Sequence, residues 1–162
     1  MALVDYFLKI DTIPGESTDS KHKTEIDVLS FSFGESQAGT MAFGGGGGAG
    51  KVQMQDFHFM MNVNKASPKL FLACATGEHI KSAILTARKA GKDQQEYLTI
   101  KFTDLLVSSF QTNGDAHANS LPVDSISLNF SEIEIEYKDQ NAQGQLGGST
   151  KAKYSLKENK SK

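Results

Sequence analysis

The sequence predicts a mainly β protein, an antiparallel β-barrel of bent strands or else a sandwich, with one short α-helix. Three observations predict it. Apolar residues recur at every second position in run after run, the period of a strand whose successive side chains point to opposite faces. Three of these runs invert their phase midway, as a period-2 pattern does when one extra residue bulges and bends the strand. Only one stretch carries helical spacing, so the strands follow one another without the crossover helices of a parallel sheet.

Residues 3–10 alternate and form the first strand. Residues 25–33 place Ile26 and Val28 on one phase, then Leu29, Phe31 and Phe33 on the other. If the second phase fills the core, Ser30 and Ser32 emerge on the opposite face. Residues 38–50 form a long arm rich in glycine, with Gly44, Gly45, Gly46, Gly47, Gly48 and Gly50. Val52 and Met54 then give way to Phe57, Phe59 and Met61 by the second inversion. Ser67-Pro68 reads as an N-cap with proline at the first helical position; Leu70, Phe71 and Cys74 share helical spacing, and Gly77 supplies the stop. Residues 83–89 and 96–110 are strands joined by the hairpin signal Ala90-Gly91-Lys92-Asp93. Residues 112–120 are a polar loop, and Ile126, Leu128 and Phe130 give way to Ile133, Ile135 and Tyr137 by the third inversion. The chain ends in a lysine-rich tail, residues 157–162.

The arm approaches a phosphate-binding loop and fails as one. From Gly45 it satisfies G-x-x-x-x-G-K, yet Val52 stands where a magnesium-holding Ser or Thr belongs, and a strand pattern follows in place of a helix. Nucleotide binding is the alternative reading and is disfavoured. Consecutive glycines are instead a flexible connector, ordered where a partner surface fixes it.

Composition narrows the function classes. At 162 residues, with a formal net charge of −2, the chain fits one domain and lacks the basic field of a nucleic-acid binder. No window reaches membrane-spanning length, and the N-terminus lacks a charged n-region and a cleavage site. The single cysteine, Cys74, excludes an internal disulfide and reads as a buried small residue. His22, His58, His79 and His117 are far apart and unpaired by ligand spacing, each expected at the surface or in a hydrogen bond. Glu132, Glu134 and Glu136 share one strand face, a solvated or subunit-contact surface. Ser108 and Ser109 lie in a strand without a nucleophile elbow. No catalytic, cofactor or metal residues are expected.

The chain resembles the Hcp (haemolysin-coregulated protein) family of the bacterial type VI secretion system. The matching segments are Gly15-Glu16-Ser17-Thr18-Asp19 with His22, residues 25–34, the glycine arm ending in Gly50-Lys51, and the helix from Ser67-Pro68-Lys69-Leu70 through Ala73-Cys74. They continue with Arg88-Lys89-Ala90-Gly91, Glu96-Tyr97-Leu98 through Leu106-Val107-Ser108-Ser109, and Leu128-Asn129-Phe130, in order over almost the entire length. The family often carries Trp where Phe31 and Phe33 stand, a conservative difference.

The resemblance implies that residues 1–162 form one Hcp-like barrel, without an attached effector domain. It implies a homohexameric ring, rings stacked into the inner tube of a contractile machine, and partners in its spike, its sheath and effector proteins carried in the channel. It also implies synthesis in the bacterial cytoplasm and export without a cleaved signal peptide. Within that frame the glycine arm is expected to contact a neighbouring subunit or the adjoining ring, and Ser30 and Ser32 to line the channel. Gly91 and Lys92 at the hairpin tip, with Asn159 on the opposite ring face, are expected at the stacking contact.

Overall fold

The computed structural model describes residues 3–39, 51–89 and 94–162. Among the described residues eleven strands and one helix follow in order: β1 (Val4–Ile10), β2 (Ile26–Val28), β3 (Ser30–Ser32), β4 (Glu35–Ser36), β5 (Gln53–Met54), β6 (Phe57–Asn62), α1 (Ser67–Thr76), β7 (Ile80–Lys89), β8 (Glu96–Asn113), β9 (Val123–Gln140), β10 (Leu146–Ser155) and β11 (Lys160–Ser161). Every pairing is antiparallel. The glycines 44–48 and 50 and the hairpin tip with Gly91 and Lys92 lie outside the described residues.

The first inversion is a corner. β2 pairs with β1, while β3, one residue later, pairs with β6. The chain turns at Leu29, whose N–H donates to the Met60 carbonyl at 2.8 Å. Because β2 and β3 are one bent run, the order β2–β1–β7–β8–β9–β6–β3 returns to itself and closes a barrel. Leu29 itself is 52% exposed, against the expectation that it joins the core. At the bend its side chain belongs to neither inward phase; Phe31 and Phe33 are half-buried and do pack on the core.

The other two inversions also mark bends. Between β5 and β6 the chain leaves the small β4–β5 ladder at the base of the arm and enters the barrel. In β9 the buried phase passes from Ile126, Leu128 and Phe130 to Ile133, and β8 inverts beside it, from Ile100 and Phe102 to Leu105 and Val107. Asp104 adopts φ 49° at that point, a left-handed conformation uncommon for a side-chain-bearing residue. Two paired strands thus bend together without losing register between Thr103–Glu132 and Leu105–Phe130.

The core is a single cluster centred on Phe57, Phe59, Phe102, Leu8, Leu85 and Leu128, with Phe57 tilted against Phe102 at 4.7 Å between centroids. Helix α1 closes one end by burying Leu70 and Ala73. Two details differ from the sequence reading. Phe71 is 58% exposed and Cys74 half-buried, because the helix turns a narrower face inward. Ser67 is not the cap: the cap position is Ala66, and the Ser67 hydroxyl instead donates to buried Asp124 at 2.5 Å while accepting the Asn64 N–H at 3.1 Å. Gly77 ends the helix at φ 66°, as a left-handed stop requires.

Candidate functional site

β3, β6, the first half of β9 and the second half of β8 form a four-stranded sheet whose inner face is core. Its outer face carries two cross-strand rows. Register places Ser32 opposite His58, His58 opposite Ser127, and Ser127 opposite Ser109; the next row runs Ser30, Met60, Ser125, Gln111. The rows exist because Phe31, Phe57, Phe59, Ile126 and Phe110 occupy the alternate, inward positions. Ser30 and Ser32 are exposed on the side opposite Phe31, where alternation put them.

A bulge sharpens this surface. The β8–β9 register shifts between Val107 and Ser109, so Ser108 and Ser109 together face Ser127. Ser127 is buried by them; its hydroxyl lies 2.8 Å from that of Ser108 and also bonds that of Ser109. Ser108 further donates to Asp56 Oδ2 at 2.7 Å, and Asn129 Nδ2 donates to Asp56 Oδ1 at 2.8 Å. Both oxygens of this carboxylate are thereby engaged, and no Lys or Arg stands in either row. The result is a wall of hydroxyl and amide groups around the exposed imidazole of His58 and one exposed thioether, Met60. Sequence alternation exposed Ser30 and Ser32; Ser125, Ser127 and Gln111 join them only through strand pairing, which no local pattern encodes.

A second constellation lies on the opposite wall. Arg88 is 2% exposed and grips Asp19 with two bonds, 3.0 Å to Oδ1 and 2.7 Å to Oδ2, and Asp5 with a third at 3.1 Å. Its guanidinium sits 4.8 Å from the Phe7 ring centroid, and His22 stacks on the same ring at 4.4 Å. His22 Nδ1 meets Glu25 and Nε2 meets Glu96, each at 2.7 Å. The hydrogen bonds from Arg88 hold the Asp19 carboxyl far below the usual carboxylate range, whereas burial, then the charges of Asp5 and Asp19, push Asp27 up. These contacts pin residues 14–25 to the barrel wall. His22 is therefore a buried hydrogen-bonding histidine.

Glu132, Glu134 and Glu136 face lysines of β10: Lys151 lies 3.5 Å from Glu134 and 3.2 Å from Glu136, and Lys153 3.5 Å from Glu132. The basic chain end folds back as β11, bringing Lys162 to 2.5 Å from Glu132. Asn159 lies in the preceding turn at φ 53°, its amide oxygen accepting the Tyr154 hydroxyl at 2.7 Å. β10 runs away from the β7–β8 hairpin, since Ser155 pairs with Glu132 and Glu132 with Thr103, so Asn159 lies at the other end of the strands from Lys89. After Lys51 comes strand β5, which does not provide the helix a phosphate loop needs. Among the described residues no group of three or more His, Cys, Asp or Glu is placed to hold a metal, and no helix is long and apolar enough to cross a membrane.

The closed barrel thus presents one sheet face whose two rows carry hydroxyl, amide, imidazole and thioether groups and no Lys or Arg. Residues 7–137 match the family described as "Type VI secretion system effector, Hcp". The chain is 44% identical over 158 residues to protein hcp1 of Pseudomonas aeruginosa, covering 96% of this chain and 97% of that one. The crystal structure of Hcp1 from Salmonella typhimurium superposes with a TM-score of 0.84 at 40% identity, over 99% of this chain and 100% of that one. A structure described as a type six secretion system protein reaches a TM-score of 0.92 at 32% identity, over 98% and 99%. The chain belongs to the Hcp family of type VI secretion proteins.

Proposed function

We propose that this protein is the subunit of a type VI inner tube, six copies closing into a ring whose channel is walled by the sheet that carries Ser30 and Ser32. The observation that carries this reading is the pair of rows Ser32–His58–Ser127–Ser109 and Ser30–Met60–Ser125–Gln111. The serines leave lumen volume free and, with His58, Met60 and Gln111, hold a passing protein by many weak contacts, without long-lived ion pairs. Membership of the family supports the ring, the stacking and the export route in this reading. Spike, sheath and channel-borne effectors are the partners that follow from it.

In this reading the glycine arm, residues 38–50, reaches from the β4–β5 base onto a neighbouring subunit or ring, where close backbone approach uses residues without side chains. The β7–β8 hairpin tip and the Asn159 turn, at opposite ends of the strands, face one another across stacked rings. Native mass spectrometry tests the ring directly: the expected species weighs six times the 17.6 kDa of the chain. A monomer persisting throughout the micromolar range refutes it.

A further inference from the structure

The described lysines of this chain differ in their ion pairing, and those without an ion pair, Lys65, Lys81 and Lys101 among them, are not confined to one place. The lysines of β10 and β11 are neutralised: Lys151, Lys153, Lys160 and Lys162 all lie within ion-pair distance of glutamates. Around the end of β1 the arrangement is the reverse. Lys9, Lys21, Lys23 and Lys69 line one open cleft of about 630 Å³, and among the described residues none of the four makes an ion pair. The one carboxylate on the cleft lining, Glu25, is engaged by His22 Nδ1 at 2.7 Å.

The cleft is built from anchored backbone. Lys21 and Lys23 flank His22, and the Lys21 N–H donates to Asp19 Oδ1 at 2.9 Å, so both hang from the segment that Arg88 and His22 pin to the wall. Thr12 and Thr24 hold left-handed backbones, φ 67° and 65°, a conformation that is an outlier for a β-branched residue. Thr24 is kept there by its carbonyl, which accepts the Gly15 N–H at 2.8 Å, and by its own N–H, which donates to Ser17 at 2.9 Å. The hydroxyl-bearing residues Thr12, Ser20 and Thr24 line the same cleft. Lys69 sits in the first turn of α1, which contains no acidic residue; a cation there opposes the helix dipole.

Four ammonium groups around a cleft lined by a single carboxylate, Glu25, leave an excess of positive charge, and the nearby hydroxyls offer further hydrogen-bond partners. A multiply charged oxyanion satisfies both at once. The volume exceeds what one orthophosphate fills, and Ile10, Ile13 and Pro14 give the lining an apolar part. The geometry points to a binding site for a pyrophosphate group, held by Lys9, Lys21, Lys23 and Lys69, either as the free anion or as the diphosphate of a nucleotide. This site is separate from the glycine arm and from the serine rows, and it does not rest on ring assembly.

Titration calorimetry of the full chain with inorganic pyrophosphate, at about 50 mM NaCl where screening is modest, tests it. Saturable binding is expected, weakened at least about tenfold in the double variant Lys21→Ala, Lys69→Ala and less than about twofold in Lys151→Ala, Lys153→Ala. Lys21, Lys69 and Lys151 are exposed and Lys153 is half-buried, and an unchanged circular dichroism spectrum excludes misfolding of either variant. ADP binding more tightly than pyrophosphate assigns the nucleotide source; equal or weaker ADP binding assigns the free anion. No saturable heat up to about 10 mM pyrophosphate, or equal losses in the two double variants, overturns the site.

Discussion

Arg88→Ala removes the clasp that holds residues 14–25 to the barrel. It deletes two hydrogen bonds to Asp19, one to Asp5 and the contact with Phe7, and it leaves Asp5, Asp19 and Asp27 near one another without their cation. Truncating one partner of a buried ion pair costs about 3–5 kcal/mol. The Asp5 and Asp19 side chains keep 38% and 19% of their exposure, so water compensates part of the loss and the lower end, about 3 kcal/mol, is expected. For a chain of this size that lowers the melting temperature by about 6–12 °C. Thermal melts followed by circular dichroism at fixed protein concentration and pH 7 read it out. The pH dependence adds a sign. Asp19 has a depressed folded pKa, so its contribution is complete above the unfolded value of about 3.9 and is lost as pH falls through the folded value. The gap between wild type and Arg88→Ala should therefore persist from pH 7 to about 4 and shrink on further acidification. A variant melting within about 2 °C of wild type at pH 7 refutes the clasp.

Four further outcomes follow from the same geometry. Gly15→Ala places a Cβ 2.5 Å from the Glu25 carbonyl oxygen and 2.7 Å from Ile26 Cα, backbone atoms that cannot rotate away; a loss of about 2 kcal/mol in urea unfolding is expected, and a neutral result contradicts the close approach. Ser32→Gln should leave the hexamer intact by native mass while reducing the effector that co-purifies with it; unchanged retention in an intact ring removes the serine face from cargo contact. Deleting residues 44–48 should slow tube formation and lower secretion, and a shortened protein that assembles and is secreted like the parent counts against the arm. In a Cys74→Ser background, Gly91→Cys with Asn159→Cys should give long tubes on oxidation that reductant dissolves; isolated rings place the hairpin away from the stacking face.

Much of the fold was legible because strand alternation is a local signal. Each of the three phase inversions corresponds to a real bend, at Leu29, between β5 and β6, and at the Asp104 level of β8 and β9. The errors arose where tertiary contacts override local preference. Ser67 has the chemistry of an N-cap, but buried Asp124, 57 positions away in sequence, takes its hydroxyl. Leu29 continues an apolar alternation and is exposed because the corner falls on it. His22 was expected at the surface or in a hydrogen bond, and the hydrogen bond is what folding supplies, stacking His22 and Arg88 against Phe7 and bringing in Glu96, 74 positions from His22. The serine face was half visible for the same reason: alternation exposes Ser30 and Ser32, and register alone adds His58, Ser125 and Ser127.

Cryo-electron microscopy of the purified full-length protein at side-chain resolution tests the central claim most directly. The account predicts a six-membered ring with the rows of Ser30 and Ser32 turned toward the central channel. A ring with those rows on its outer circumference, or particles with no ring at all, contradicts it.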